Sequence, residues 1–428
     1  MNVPVTYDLS RLLLRSFGAG PNGIDRVDLN LARHFLSRER EANCGLLLNR
    51  LRPAVIGNRG AEAFLNVVDK AWKENIELAD DQTYQAVRRR LLRAPGQKPQ
   101  AGDSPARVVA ARAQRGTTTW RMASALLPQL AMFKRVQKDA IFVHATQFPD
   151  APLFRWLDRR PDVKPVFFIH DLLPIQRPDF FTEKNTEQHR QFLEIFLRYG
   201  RAAIVNTETV KSDVAAFIKT RSSGDKKILV APMPASPIFA QPAPPDTELR
   251  ARSYFVVCGT IEPRKNHLLL LKVWQELVRS EGDKAPKLVI IGRRGWNNQA
   301  VFDLLDRAPW GASHIVEVAG LSTNAMKHIV ANARALLMPS FAEGYGFPVV
   351  EALAAGTPVI ASDIAVFNEI GGGRLTYCNP GDTAPWLEAV RAHVALGLRH
   401  SEAVPTESEN RIAWERYFRS IATFVSGL

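Results

Sequence analysis

Short apolar runs bounded by turn-forming residues alternate along this chain with longer stretches whose apolar positions recur every three or four residues. The first pattern predicts buried strands and the second amphipathic helices. In the first half the strand-like runs are Val3 to Asp8, Asn43 to Leu48, Ala140 to His144, Pro165 to His170, Ala202 to Val205 and Ile228 to Val230, with a helix from Gly23 to about Arg38. In the second half they are Tyr254 to Cys258, Leu288 to Ile291, Ile315 to Val318, Ala335 to Met338, Val359 to Ala361 and Leu375 to Cys378. Two such sets predict an α/β chain of two doubly wound parallel-sheet domains. The Pro-rich stretch Pro232 to Pro245 reads as the linker. The expected division is 1–235, 236–404 and a final helix in 405–428, with Ile412, Trp414, Phe418 and Ile421 on one side. Residues 97–106, polar and rich in Pro and Gly, predict a mobile loop.

The chemistry concentrates after the predicted strand that ends at Met338. There Glu343-Gly-Tyr-Gly-Phe-Pro-Val-Val-Glu351 sets two carboxylates with seven residues between them, across a Gly-x-Gly turn and a helix start. Pro348 suits a first helical turn and Gly356 a C-terminal cap. In an open α/β sheet the carboxyl rim of the strands is where ligands bind. Gly344 and Gly346 allow backbone N–H groups close to a ligand, and carboxylates accept from sugar hydroxyls, so the pattern suits a polyhydroxylated, phosphate-bearing molecule. A second cluster follows the strand ending at Cys258: Gly259, then Arg264-Lys265-Asn266, with Asn266 as the expected helix cap. Two cations beside a helix N-terminus make a diphosphate site. Gly292 closes the next strand, where it is either a plain turn or a close approach to a nucleotide base. His144 and His170 each end a strand of the first half.

The frame Met338-Pro-Ser-Phe-Ala-Glu343-Gly-Tyr-Gly-Phe347-Pro-Val-Val-Glu351-Ala, continuing through Gly356-Thr-Pro-Val359, resembles the retaining glycosyltransferases of family 4, which have the GT-B fold. The resemblance implies a cleft between two Rossmann-like lobes, an acceptor-binding first lobe, a nucleotide-sugar-binding second lobe, and a final helix packed back on the first. It assigns Arg264 and Lys265 to the leaving diphosphate, Glu343 to donor-sugar hydroxyls and Glu351 to the nucleotide ribose. Gly259, Gly292, Gly344, Gly346 and Phe347 would line the donor pocket, and His170 would lie near the reacting carbon. Pro21-Asn-Gly-Ile-Asp-Arg-Val27 resembles the glycine loop of the first domain, with Gly23 approaching the donor phosphates and Arg26 beside it. Gly18-Ala-Gly-Pro-Asn-Gly23 also matches the dinucleotide fingerprint by letters, but it stands some ten residues beyond the strand and contains Pro21, which argues against a nicotinamide or flavin. No metal-binding Asp-x-Asp pair stands in the corresponding place, so no metal and no cofactor is expected.

Together with His170-Asp-Leu-Leu-Pro174 and Gly292-Arg-Arg-Gly-Trp296, the whole is similar to bacterial polysaccharide mannosyltransferases. That implies GDP-mannose as donor, with UDP-hexose or dTDP-deoxysugar behind it, and a lipid-linked glycan as acceptor. A nucleotide-sugar epimerase on the same fold stays open.

Charge adds one further expectation. The formal charge is +13, and between Arg88 and Lys138 twelve Lys and Arg face one acid, Asp103. Such a segment suits an anionic membrane surface, and residues 120–138, with Trp120 and Phe133 among cations, read either as an amphipathic surface helix or as an ordinary core-facing one. Nucleic-acid binding is the remote reading, since no reader motif accompanies the charge. Three distant cysteines argue against disulfides and zinc, and the first twenty residues lack the pattern of a secretory signal. Cytoplasmic residence, peripheral to the inner face of the membrane, is the resulting expectation.

Overall fold

The structure is a computed structural model that describes residues 3–16, 23–37, 40–48, 53–72, 77–93, 107–109, 135–147, 151–221, 224–308, 310–397 and 406–428. It contains two seven-stranded sheets. The first runs in the order Ala54–Ile56, Cys44–Leu47, Val5–Asp8, Ile141–His144, Lys164–Phe168, Ala202–Val205 and Lys227–Val230. All its pairs are parallel except the first, which is antiparallel. The second runs Thr376–Cys378, Val359–Ser362, Leu336–Met338, Tyr254–Cys258, Lys287–Ile291, Ile315–Ala319 and Arg107–Val109, parallel throughout. The central strands are buried along their length, as parallel strands covered by helices on both faces must be.

The chain divides less simply than a single cut near residue 235. Helix Gln82–Leu92 leaves the first lobe and buries Tyr84, Val87 and Leu91 against Leu249, Tyr254 and Val318 of the second. Strand Arg107–Val109 then extends the second sheet beside Ile315–Ala319. The 3.6-residue spacing of Tyr84, Val87 and Leu91 shows that one helix face is buried, not which sheet it covers. Lys287 Nζ donates to the carbonyls of Arg90, Leu91 and Arg93, so a cation closes the C-terminal end of this helix. Arg88 donates to Asp246 at 2.9 Å and also pairs with Glu248, so its charge is spent inside the protein. Most of the remaining basic segment, residues 94–106 and 110–134, lies outside the described residues, and with it the expected loop at 97–106 and most of the stretch 120–138.

The last helix, Glu407–Ser426, starts on a capping box of Thr406 and Glu409 and joins the core of the first lobe. Its buried face is Trp414, Tyr417, Ile421 and Val425. Ile412, expected on that face, is exposed, because the helix is rotated to bring Tyr417 inward. Trp414 Nε1 donates to Ala235 O at 2.9 Å, and Phe418 stacks on His34. The proline-rich crossing is packed rather than loose: Phe239 in the short helix Pro237–Ala240 is buried against Ala235 and Ala354.

Candidate functional site

The carboxyl ends of the two sheets meet. His170 follows the strand Lys164–Phe168, and Gly344 follows Leu336–Met338. A Cβ placed on Gly344 would lie 2.2 Å from His170 O and 2.8 Å from Asp171 Cβ, so glycine lets the two backbones touch. Beside this contact Thr207 Oγ1 donates to Gly344 O at 3.4 Å, and Glu369 accepts from the backbone N–H groups of Glu208 and Thr209 at the start of helix Glu208–Arg221. On the other flank Trp296 Nε1 donates to Phe180 O at 3.0 Å, and Phe180 stacks on Phe341.

Within this seam Arg264, Lys265 and Glu343 form one cluster. Pro263–Lys265 is a 3-10 turn after strand Tyr254–Cys258, and Asn266 takes the left-handed conformation at φ 53°. Asn266 holds the N-cap position of helix His267–Glu281 as expected, but its side chain makes no capping hydrogen bond. Its amide instead donates to Pro339 O and Pro380 O, tying the cationic turn to the ends of the neighbouring strands. Arg264 donates to Glu343 Oε2 at 2.5 Å and to Ala342 O at 2.9 Å, and Lys265 donates to Glu343 Oε1 at 2.5 Å. Ser340 Oγ adds a bond to the same oxygen at 2.7 Å, and Glu262 accepts from Arg264 at 2.7 Å. Burial pushes the Glu343 carboxyl up, but the charges of Arg264 and Lys265 and the bonds from Lys265 and Ser340 overturn that and hold it at about 2. Burial pulls Arg264 down, and Glu343 and Glu262 outweigh it to raise the guanidinium above its ordinary range. Two fixed cations thus stand at a strand's carboxyl end, neutralised by carboxylates.

Glu351 lies on the helix Phe347–Ala354, which starts from Gly346 at φ 98° with Pro348 in its first turn. It is 4% exposed and accepts from Arg26 NH1 at 2.8 Å. Arg26 belongs to helix Gly23–Phe35 of the other lobe, and its NH2 reaches Thr323 Oγ1 at 3.3 Å. Gly23 opens that helix against Phe347: a Cβ there would sit 3.3 Å from Phe347 Cβ. Gly259 and Gly292 end adjacent strands in mutual contact, since a Cβ on Gly292 would fall 1.8 Å from Gly259 O. Burial pushes the Cys258 thiol up to about 12; the charge of Glu351 adds to the rise while those of Lys265 and Arg26 oppose it.

His170 bonds inward. Its Nε2 lies 3.0 Å from Ala145 O, an acceptor, so Nε2 carries the proton and Nδ1 is left to accept from the Asn206 amide at 3.4 Å. Burial lowers its pKa, which keeps the ring neutral. The ring therefore braces the loop whose carbonyl meets Gly344. His144 is buried with Nδ1 2.8 Å from Asp8 Oδ2, beneath the same rim.

The structure therefore brings Arg264, Lys265 and Glu343 into direct contact and sets Glu351 on the helix that follows; Gly259 lies against Lys265, Gly292 against Gly259 and Gly23 against Phe347, while Gly344 meets His170 and Gly346 packs on Phe367. Ser340, Glu262, Asn206 and the bond from Arg26 to Glu351 were not anticipated as partners. Ser340 carried a local signal, three residues before Glu343 at a strand end. Asn206 and Thr323 carried none, because their partners are distant in the chain.

Residues 252–395 match the family described as glycosyl transferases group 1. The chain is 30% identical over 231 residues to the O-antigen chain mannosyltransferase RfbU of Salmonella typhimurium, covering 52% of this chain and 59% of that one. It is 28% identical over 272 residues to the serotype-specific mannosyltransferase WbdA of Escherichia coli, covering 58% of this chain and 32% of the relative. The chain thus spans between about a third and three fifths of the length of these curated relatives. Among solved structures it superposes on Anabaena Alr3699/HepE in complex with UDP-glucose with a TM-score of 0.58 at 14% identity, covering 100% of both chains. A trehalose-phosphate synthase from Burkholderia vietnamiensis gives 0.56 at 12% identity, again with 100% of both chains covered. Among the described residues no helix is long and apolar enough to cross a membrane. The two parallel-sheet lobes, with paired cations and carboxylates at their junction, have the GT-B architecture, and residues 252–395 of the second lobe are similar to the glycosyl transferases group 1.

Proposed function

We propose that this protein transfers a hexosyl group, mannosyl from GDP-mannose in the first place, from a nucleoside-diphosphate sugar to a hydroxyl of a glycan acceptor in bacterial surface-polysaccharide synthesis. The observation that carries the reading is the convergence of Arg264 and Lys265 on Glu343 at the seam between the lobes. An anion entering that seam meets two cations already fixed by hydrogen bonds, so little reorganisation is needed as charge develops on the leaving diphosphate. The cations take the place that a divalent ion fills elsewhere, and the reaction proceeds without a metal. Glu343 turns one carboxylate oxygen to donor-sugar hydroxyls and Glu351 serves the nucleotide ribose.

The configuration at the transferred carbon is retained. The acceptor oxygen attacks from the face that the diphosphate leaves. The new C–O bond forms as the bond to the β-phosphate oxygen breaks, the electron pair goes to the diphosphate, and a phosphate oxygen takes the acceptor proton. Closure of the seam excludes water and aligns the two oxygens. A lipid-linked oligosaccharide at the inner face of the cytoplasmic membrane suits the basic stretch 88–138, in which each cation other than the paired Arg88 would add about 1 kcal/mol near an anionic surface. RfbU and WbdA are named mannosyltransferases, which supports a mannosyl donor as the first to test.

A thermal-shift panel of GDP-mannose, UDP-glucose, a dTDP-sugar and ADP-glucose tests the donor, because a ligand that binds the native state raises the melting temperature. The expected result is a clear shift with GDP-mannose, absent in Arg264→Ala. Silence across the panel with the folded protein overturns the reading. Product anomeric configuration by NMR, with and without chelator, tests retention and metal independence.

A further inference from the structure

Helix Phe347–Ala354 turns Glu351 toward Arg26, and it turns Val350 and Leu353 toward a cavity of about 370 Å³. Arg264, Lys265, Glu343 and Glu351 stand outside that cavity. Its apolar wall comes from four parts of the chain: Pro232 and Pro234 of the crossing, Val350 and Leu353, Ile370 of helix Ala365–Gly371, and Ala413 of the last helix. A concave space of this size, largely apolar with a few polar groups, is the usual form of a small-molecule site. The charged groups at its edge are already committed. Glu369 accepts from the N–H groups of Glu208 and Thr209, Glu409 completes the capping box of the last helix, and Arg374 donates to the carbonyls of Ile370 and Gly371. The cavity thus asks for no charge on its occupant. Two carboxamides complete the lining, Asn206 at 3% and Asn410 at 7% exposed. The orientation of Asn206 is fixed by its neighbour. His170 Nδ1 can only accept, because Nε2 holds the proton, so Asn206 Nδ2 faces it at 3.4 Å. Asn206 Oδ1 is then turned away from the ring, buried, with no hydrogen bond from the described residues. A buried oxygen left without a donor bears its full desolvation cost, and native proteins leave few of them.

We propose that this cavity is a second ligand site, for a neutral molecule with an apolar body and a hydroxyl group that donates to Asn206 Oδ1, and that its occupant acts on the first site through His170. The apolar body covers the prolines and the aliphatic side chains, and the hydroxyl supplies the donor that Oδ1 lacks. A donor on Oδ1 polarises the carboxamide, so the Nδ2–H binds His170 Nδ1 more strongly. His170 in turn donates to Ala145 O, and its own carbonyl meets Gly344, the neighbour of Glu343. The occupant is therefore felt beside Glu343 without touching the residues assigned to the donor. Recognition of this molecule needs nothing from the proposed function, since none of those residues takes part.

The test uses the full chain, with cyclohexylmethanol as the probe and its methyl ether, which keeps the apolar ring and lacks the donor, as the control. Titration by saturation-transfer NMR is expected to show the alcohol binding about tenfold more tightly than the ether, the worth of one hydrogen bond. Ala413→Phe and Val350→Phe fill the cavity from two different helices, and each should abolish binding of the alcohol in protein that circular dichroism shows to be folded; if one of them unfolds, the other decides. Saturating GDP should leave the alcohol bound. In nitrogen-detected spectra the His170 Nδ1 resonance should move with the alcohol and stay in place with the ether. Folded wild type that takes up no alcohol overturns the site, as does binding that survives filling of the cavity or that GDP displaces. Equal affinity for alcohol and ether overturns the bond to Asn206, and a His170 resonance unmoved by bound alcohol overturns the link to the first site. If wild type binds no nucleotide, the proposed function fails, while the alcohol, the ether and the filled variants still decide whether the cavity is a site.

Discussion

Glu343→Gln separates the two things this carboxylate does. In the folded protein it is held at about 2 against an ordinary 4.5, chiefly because Arg264 and Lys265 outweigh its burial. At 1.36 kcal/mol per unit, that depression corresponds to ~3 kcal/mol of stability at neutral pH, in line with the range for breaking a buried pair. The group is almost wholly buried, so solvent screening removes little of this. The sign is that of a lowered carboxylate. The stabilisation is fully present above the unfolded pKa and is lost as pH falls from about 4.5 toward about 2. Glu343→Gln should therefore melt several degrees below wild type at pH 7, and the gap should narrow as the pH is taken from 5 to 3. Arg264 keeps Glu262, but Lys265 loses the carboxylate that neutralised it. Added GDP or inorganic pyrophosphate replaces that charge, so the ligand-induced rise in melting temperature should be larger in the variant than in wild type, while sugar transfer is lost. The assay is differential scanning fluorimetry over pH, with and without each anion. A variant that responds to GDP less than wild type does would refute the reasoning, because the cations would then not be free to receive the anion.

Three other outcomes follow from particular contacts. Burial, only partly offset by the Tyr7 hydrogen bond, raises the Asp28 carboxyl to about 8; the folded state therefore holds a proton that the unfolded state releases, and stability falls as pH rises from about 4 through 8. Asp28→Asn should flatten that decline, with the stabilisation relative to wild type greater at pH 9 than at pH 5 in melting curves. Gly344→Ala puts a methyl group 2.2 Å from the His170 carbonyl oxygen, so the seam should open, with a larger radius of gyration and loss of transfer, while each lobe stays folded by circular dichroism. Trp414→Ala removes a buried ring that bonds Ala235 O and packs on Tyr417, and should destabilise the first lobe by about 3–5 kcal/mol in denaturant unfolding.

Local pattern carried most of the fold. Strands Ala202–Val205 and Tyr254–Cys258 coincide with their apolar runs, because a strand buried on both faces shows as an uninterrupted apolar segment. The short strands Ala54–Ile56 and Arg107–Val109 escaped notice: three residues are too few to show a period, and both sit at the outer edge of a sheet. The core of the site was legible for a related reason. Arg264 and Lys265 follow one strand end and Glu343 another, and parallel strands bring their carboxyl ends to a common rim. What surrounds those residues was less legible. Asn266 has the composition of a helix cap, yet its amide serves two carbonyls from other loops. His170 stands at the right rim, yet both ring nitrogens face its own lobe.

The sequence by itself determined two parallel-sheet lobes, the rim on which the charged residues stand and the chemistry those residues offer, since each of these depends on neighbours within a turn or a strand. Only the tertiary structure decided which lobe receives helix Gln82–Leu92, which face of the last helix is buried, and that Glu351 is held by Arg26 from across the seam. Those outcomes depend on how two preformed surfaces fit and on which buried charge finds an opposite charge in reach, and neither quantity is written in the spacing of residues along the chain.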